Sequence, residues 1–207
     1  MAEVNKNYKS NTGVEEFYYG VLDEQNELTI KEATPELVDF LKTITVTREQ
    51  SIEKAHGSNK IAEMATVNGT VTVEGAFHKL PKEDKIKLLG LPTTESGVYG
   101  IGQDDVSPYV ACVFAMTYED GHKEWVGLPK GKFIVSELAN GQTKQESEVE
   151  WGESPITAEF MDRKVNGFDT ERSAIFAETD KDDKEAVNEF FNLVFGKDHP
   201  DYTVEDL

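Results

Sequence analysis

Glu119-Asp120-Gly121-His122 sets two carboxylates and an imidazole side by side between apolar residues. Those are the groups from which general acid–base or nucleophilic catalysis is built. The sequence assigns Asp120 no partner that would make it a catalyst. Asp-Gly between two apolar runs is also a strong hairpin signal, with both turn positions expected at positive φ. The remaining histidines, His56, His78 and His199, are far apart and none has metal-ligand spacing. Cys112 is the single cysteine, so no internal disulfide can form, and its apolar setting reads as a small buried hydrophobe. The chain contains no Gly-rich phosphate loop, G-x-S-x-G elbow or H-E-x-x-H motif. Forty acidic residues produce carboxylate pairs by number alone, which leaves a glycosidase-like acid and base open on count. The two tryptophans lie within strand patterns rather than as sugar platforms. The expectation is a protein that is not an enzyme and takes no cofactor or metal.

Charge is more informative than any motif. Forty acidic against 21 basic residues leave a net charge of −19. Nucleic-acid affinity comes largely from Lys and Arg displacing counterions from phosphates, so ordinary DNA or RNA binding is disfavoured, as is an anionic membrane surface. Either self-repulsion keeps a soluble protein dispersed, the commoner use, or a surface repels a polyanion. Leu, Ile, Val and Phe make up about a quarter of the 207 residues, enough for a core in one domain with an appendage. No apolar run approaches the roughly 20 residues of a membrane span, and the N-terminus lacks a signal-peptide core. Synthesis in the cytoplasm is the expectation.

The elements that must position these residues are mostly strands. Residues 1–15 are polar and read as a flexible N-terminal arm. Residues 17–22 read as a strand, with 28–30 a candidate continuation, and 41–47 alternate as another. Residues 48–69 show no clean period of 2 or 3.6, which predicts a long loop. Thr70 to Phe77 alternate strictly, with Val71, Val73, Gly75 and Phe77 on one face. Pro81 and Gly90 bracket a helix with Ile86, Leu88 and Leu89 on its apolar side. Residues 92–107 read as a loop or ragged hairpin. Residues 109–118 are apolar on both faces, as in a covered central strand. Strands over 122–128 and 133–138 are predicted on either side of Pro129-Lys130-Gly131. Residues 145–151 alternate, placing Glu146, Glu148 and Glu150 on one face, commonly a solvated one and alternatively one that must stay negative. Residues 156–161 and 173–177 complete the strands, and 184–195 form a helix with Val187, Phe190, Phe191 and Val194 aligned. The fold class is mainly β with α, a β-sandwich or barrel with helices packed against it.

The order of these features carries a resemblance. Asn68-Gly-Thr-Val-Thr-Val-Glu74, Leu80-Pro81, Lys87-Leu-Leu-Gly90 and the apolar strand from Tyr109 closed by Glu119-Asp120-Gly121 stand in a fixed succession. A segment like 146–163 and the aromatic patch Phe190-Phe191-Asn-Leu-Val194 ahead of Pro200 follow. Over residues 15–200 the succession resembles the major tail tube proteins of long-tailed, non-contractile bacteriophages, the siphovirus major tail protein family. That resemblance implies a tail-tube β-sandwich over 16–178 and an acidic C-terminal segment with a helix over 179–207. It implies stacked hexameric rings of this one chain, forming a virion tube through which genomic DNA is ejected without specific binding. Tape measure, tail terminator and baseplate proteins would be its partners, with no membrane anchor and with synthesis in the host cytoplasm. The 48–69 stretch takes the place of the long assembly loop, with Glu53, His56, Ile61 and Met64 as candidate inter-subunit residues. Glu146, Glu148 and Glu150 become candidates for an acidic lumen.

Three alternatives stay open on sequence. One is another tail ring component (terminator or baseplate) or the tube of an injection machine. Another is a carbohydrate-binding β-sandwich using Tyr18, Tyr19, Tyr109 and Trp125, and the third is a small hydrolase.

Overall fold

The computed structural model describes residues 9–134, 152–181 and 183–202. Its elements in chain order are β1 (Asn11–Val21), β2 (Glu36–Val38), β3 (Leu41–Gly57), β4 (Lys60–Phe77), α1 (Lys82–Leu89), β5 (Val110–Tyr118), β6 (Lys123–Ile134), β7 (Ser154–Phe160), β8 (Ile175–Thr179) and α2 (Lys184–Phe195). Among the described residues the protein is mainly β with two short helices. All eight strands belong to one open antiparallel sheet in the order β2-β1-β5-β6-β7-β4-β3, with β8 paired to β6 beside β7. The sheet curls until β1 approaches β3 from the other end.

Alternation along the central strands feeds two cores. Phe17 and Tyr19 of β1 with Val110, Cys112 and Phe114 of β5 face the inside of the curl, where Val73, Phe77, Phe133 and Phe160 join them. Tyr18, Ala111, Val113 and Ala115 face the other way, onto Trp125 and the aromatic side of α2, Phe190, Phe191, Val194 and Phe195. This two-sided burial is why β5 reads as apolar on both faces. The aromatic rings meet edge-on, Phe17 to Phe77 at 5.3 Å and Tyr18 to Phe191 at 5.0 Å between centroids.

Both helices end as their sequence directs. Gly90 (φ 65°) and Gly196 (φ 64°) take the left-handed cap conformation after α1 and α2. The Asp183 side chain accepts from the Ala186 N–H at 3.0 Å to start α2. The far end of α2 has no basic residue of its own, and Arg163 supplies one from a distance. Its guanidinium donates to the carbonyls of Val194 (2.8 Å), Leu193 (3.3 Å) and Glu27 (3.0 Å). Burial pulls the Arg163 pKa down to about 10, against the opposing charge of Glu27, so the group stays cationic where the helix dipole favours it.

Four local expectations are corrected. β1 begins at Asn11, because Asn11 and Gly13 to Glu15 pair with β5, so the predicted arm is shorter than 1–15. Residues 28–30 do not continue the first strand; Ile30 makes one bridge to Leu22. Strand β6 runs unbroken through Pro129. The Pro129–Lys130 pair sits in a bulge opposite Ala111, and on its other edge β6 changes partner there from β8 to β7, so no ladder donor is needed from the proline. At the Asp120 corner, Gly121 alone has positive φ (84°); Tyr118 and His122 close a three-residue loop rather than a two-residue one.

Candidate assembly surface

The stretch predicted as a long loop is a two-stranded ribbon. β3 and β4 pair from Leu41↔Phe77 out to Gly57↔Lys60, and Ser58 and Asn59, both at positive φ, make the two-residue turn. Beyond Val71, β4 has lost β7 as a neighbour, so the distal ribbon has no third strand among the described residues. It reaches roughly 30 Å past that point at about 3.3 Å per residue. Residues 47–56 and 58–70 are all exposed.

Register sorts its side chains onto two faces. Extra β4 residues at Gly69–Thr70 and at Ala62 form bulges, so the faces follow the pairing and not the residue count. Gln50↔Asn68, Ile52↔Thr66, Lys54↔Met64 and His56↔Ile61 share one face; Ser51↔Val67, Glu53↔Ala65 and Ala55↔Glu63 share the other. The first face carries three exposed large apolar residues, Ile52, Met64 and Ile61, and no carboxylate. The carboxylates Glu53 and Glu63 stand on the second. Structure therefore brings His56, Ile61 and Met64 together as one surface, adds Ile52, and separates Glu53 from them. Over residues 48–68, Arg48, Lys54 and Lys60 balance Glu49, Glu53 and Glu63, a formal charge of zero in a chain of −19.

At the root of the ribbon lies a cleft of about 570 Å3. Phe114, Met116 and Val126 floor it, Val46 and Val71 wall it on the ribbon side, and Phe176 of β8 forms the opposite lip, with Asp162 and Glu171 at the rim. It exists because β6 shares one edge between β7 and β8, which then diverge. Ribbon face and cleft wall are continuous, since Val46, Arg48, Gln50 and Ile52 are successive same-side positions of β3.

The Asp-His corner is a surface tie. His122 does have carboxylate partners, contrary to the sequence reading of Asp120. Its Nε2 is 2.5 Å from Asp180 Oδ1, and its Nδ1 is 3.3 Å from Asp120 Oδ1 without hydrogen-bond geometry. Asp120 also lies 3.8 Å from Lys9 Nζ. Desolvation opposes it, but the His122 main-chain N–H and the charges of His122 and Lys9 hold the Asp120 carboxyl below its usual range. The arrangement links the β5–β6 loop to the segment after β8. The Cys112 thiol is wholly buried and pushed up by that burial, which leaves it unreactive. Glu146, Glu148 and Glu150 lie outside the described residues.

No helix among the described residues is long and apolar enough to cross a membrane. Among curated proteins, none matches the chain. A family model for phage tail tube proteins matches residues 41–198, from the first residue of β3 to beyond α2, about three quarters of the sequence. A structural tail component explains an exposed apolar ribbon better than any pocket chemistry does, and the chain belongs to the phage tail tube protein family.

Proposed function

We propose that this chain forms hexameric rings that stack into the hollow tail tube through which genomic DNA is ejected, and that the β3–β4 ribbon joins subunits of successive rings. The observation that carries this reading is the ribbon itself: uncharged overall, exposed on both faces, and apolar along one of them. A ribbon that no third strand among the described residues supports gains little within its own subunit, and two strands alone are marginal in water. Burying Ile52, Ile61 and Met64 against a neighbour contributes roughly 1–2 kcal/mol each from the area they now expose. The zero local charge matters because two subunits of −19 must approach somewhere without repulsion. Tape measure, terminator and baseplate proteins would set the tube's length and ends. An acidic lumen would repel DNA phosphates over about 8 Å at physiological salt, and Glu146, Glu148 and Glu150 are retained as its candidates.

Negative-stain electron microscopy of concentrated protein tests the reading. Tubes of uniform diameter, or rings, are expected; a persistent monomer counts against it. Replacing residues 51–67 by Asn-Gly, which closes the turn on the Gln50↔Asn68 pair, should leave a cooperatively folded monomer whose circular dichroism loses only the ribbon's strand signal, and no tubes. Tubes formed without the ribbon would show that it is not the contact.

A further inference from the structure

An exposed ribbon needs a receiving surface, and the fork in the sheet offers one. Among the described residues, β8 is paired only on its β6 side. Its outer edge borders the apolar cleft, with Phe176 62% exposed at the lip. An open edge beside an apolar floor is the geometry that accepts an added strand, with main-chain bonds to the edge and alternate side chains to the floor.

We propose that this cleft receives the β3–β4 ribbon of a second copy, with its Ile52–Met64 face on the floor of Phe114, Met116 and Val126. This rests on the tube reading above and names the surface that the ribbon contacts. Three observations single out the ribbon as occupant. Among the described residues, distal β4 and all of β3 have unpaired outer edges, so the ribbon brings the backbone groups that β8 lacks. The incoming face has apolar residues at alternate positions, and its ionic side chain, Lys54, is cationic, whereas the cleft lining carries Asp162 and Glu171 together with Arg48 and Arg172. Finally, the cleft wall runs without a break into the receiving subunit's own ribbon, so a bound ribbon meets one continuous strip rather than an isolated hole. The Ile52–Met64 face and the cleft floor are different surfaces of one chain, so the contact is head-to-tail and can repeat from ring to ring along a stacked tube, as a two-fold dimer contact cannot.

Wild-type protein is assembled first; if it forms no tubes or rings, both the tube reading and the cleft assignment fall. Met64→Cys and Phe176→Cys, at side chains 65% and 62% exposed, are then mixed, assembled and oxidised. A disulfide-linked dimer containing one chain of each variant is expected. Tubes without that dimer overturn the cleft assignment and leave the tube reading standing. A double variant that oxidises within one chain also overturns it, because the ribbon then folds onto its own cleft. Should the cysteine variants not assemble, a charge swap decides. Asp162→Lys with Glu171→Lys should raise the protein concentration needed for assembly at least tenfold, and adding Lys54→Glu should restore it. No rise, or no restoration, overturns the proposal.

Discussion

His199 shows how one residue makes the end of this chain sensitive to acid. Its ring packs edge-on against Tyr18 and Phe191, with centroids at 5.3 and 4.5 Å. Its Nδ1 accepts from the Asp201 main-chain N–H at 3.1 Å, so that nitrogen must be unprotonated. Burial lowers the pKa below the ordinary 6.5; Asp201 and Glu16 oppose the shift and Lys123 adds to it. The folded chain therefore binds this proton less readily than the unfolded chain. The stabilisation is complete above pH 6.5 and is lost progressively as the pH falls below it. Neighbouring Asp198, held below 3.8 by hydrogen bonds from Asn192 and Asn188, loses its contribution only at much lower pH. Thermal melts should drop by a few degrees between pH 7 and 5, with His199→Phe flattening that slope and Asp198→Asn leaving it unchanged. Parallel profiles for wild type and His199→Phe would remove the histidine from the account. The sequence shows Asp198, Asp201 and Tyr202 beside His199, but not the rings that bury it, because Tyr18 and Phe191 come from β1 and α2.

At the scale of elements, the ribbon is where sequence reading and structure differ most. Residues 70–77 alternate visibly because one side of β4 is buried there, with Val71, Val73 and Phe77 inside. Farther out neither face is buried, so burial imposes no alternation, and the two β4 bulges break what period is left. The resemblance alone named Glu53, His56, Ile61 and Met64 as contact residues, and no local pattern showed a strand there. Register now separates the faces and yields a sharp expectation. Ile52→Thr with Met64→Thr should abolish or greatly weaken assembly while changing monomer stability by less than about 1 kcal/mol, since both side chains are exposed. Val67→Thr, on the opposite face, should assemble normally. Sedimentation of tubes and urea unfolding of the monomer check the two halves. β6 shows the same limit in miniature: Pro129 looks like a strand break until the bulge and the change of partner from β8 to β7 are seen.

For the whole molecule, charge and assembly have to be reconciled. A subunit of −19 repels its copies, and the uncharged ribbon is a place where that repulsion is locally relieved. If the remaining acidity serves the lumen, changing Glu146, Glu148 and Glu150 together to Lys should slow DNA ejection from otherwise intact tails. Ejection at the wild-type rate would remove those three residues from the lining.

Sequence alone was enough for the mainly β class with two helices, the central strand buried on both faces, both helix ends and the tail tube resemblance. Each rests on patterns within a few residues or on their linear order. Only the tertiary structure decided that residues 48–69 are a paired ribbon, which side chains share its apolar face, and that a cleft opens where β7 and β8 part. Those facts depend on strand register and on which edge meets which partner. Both are contacts between residues distant in the chain, and no local pattern encodes them.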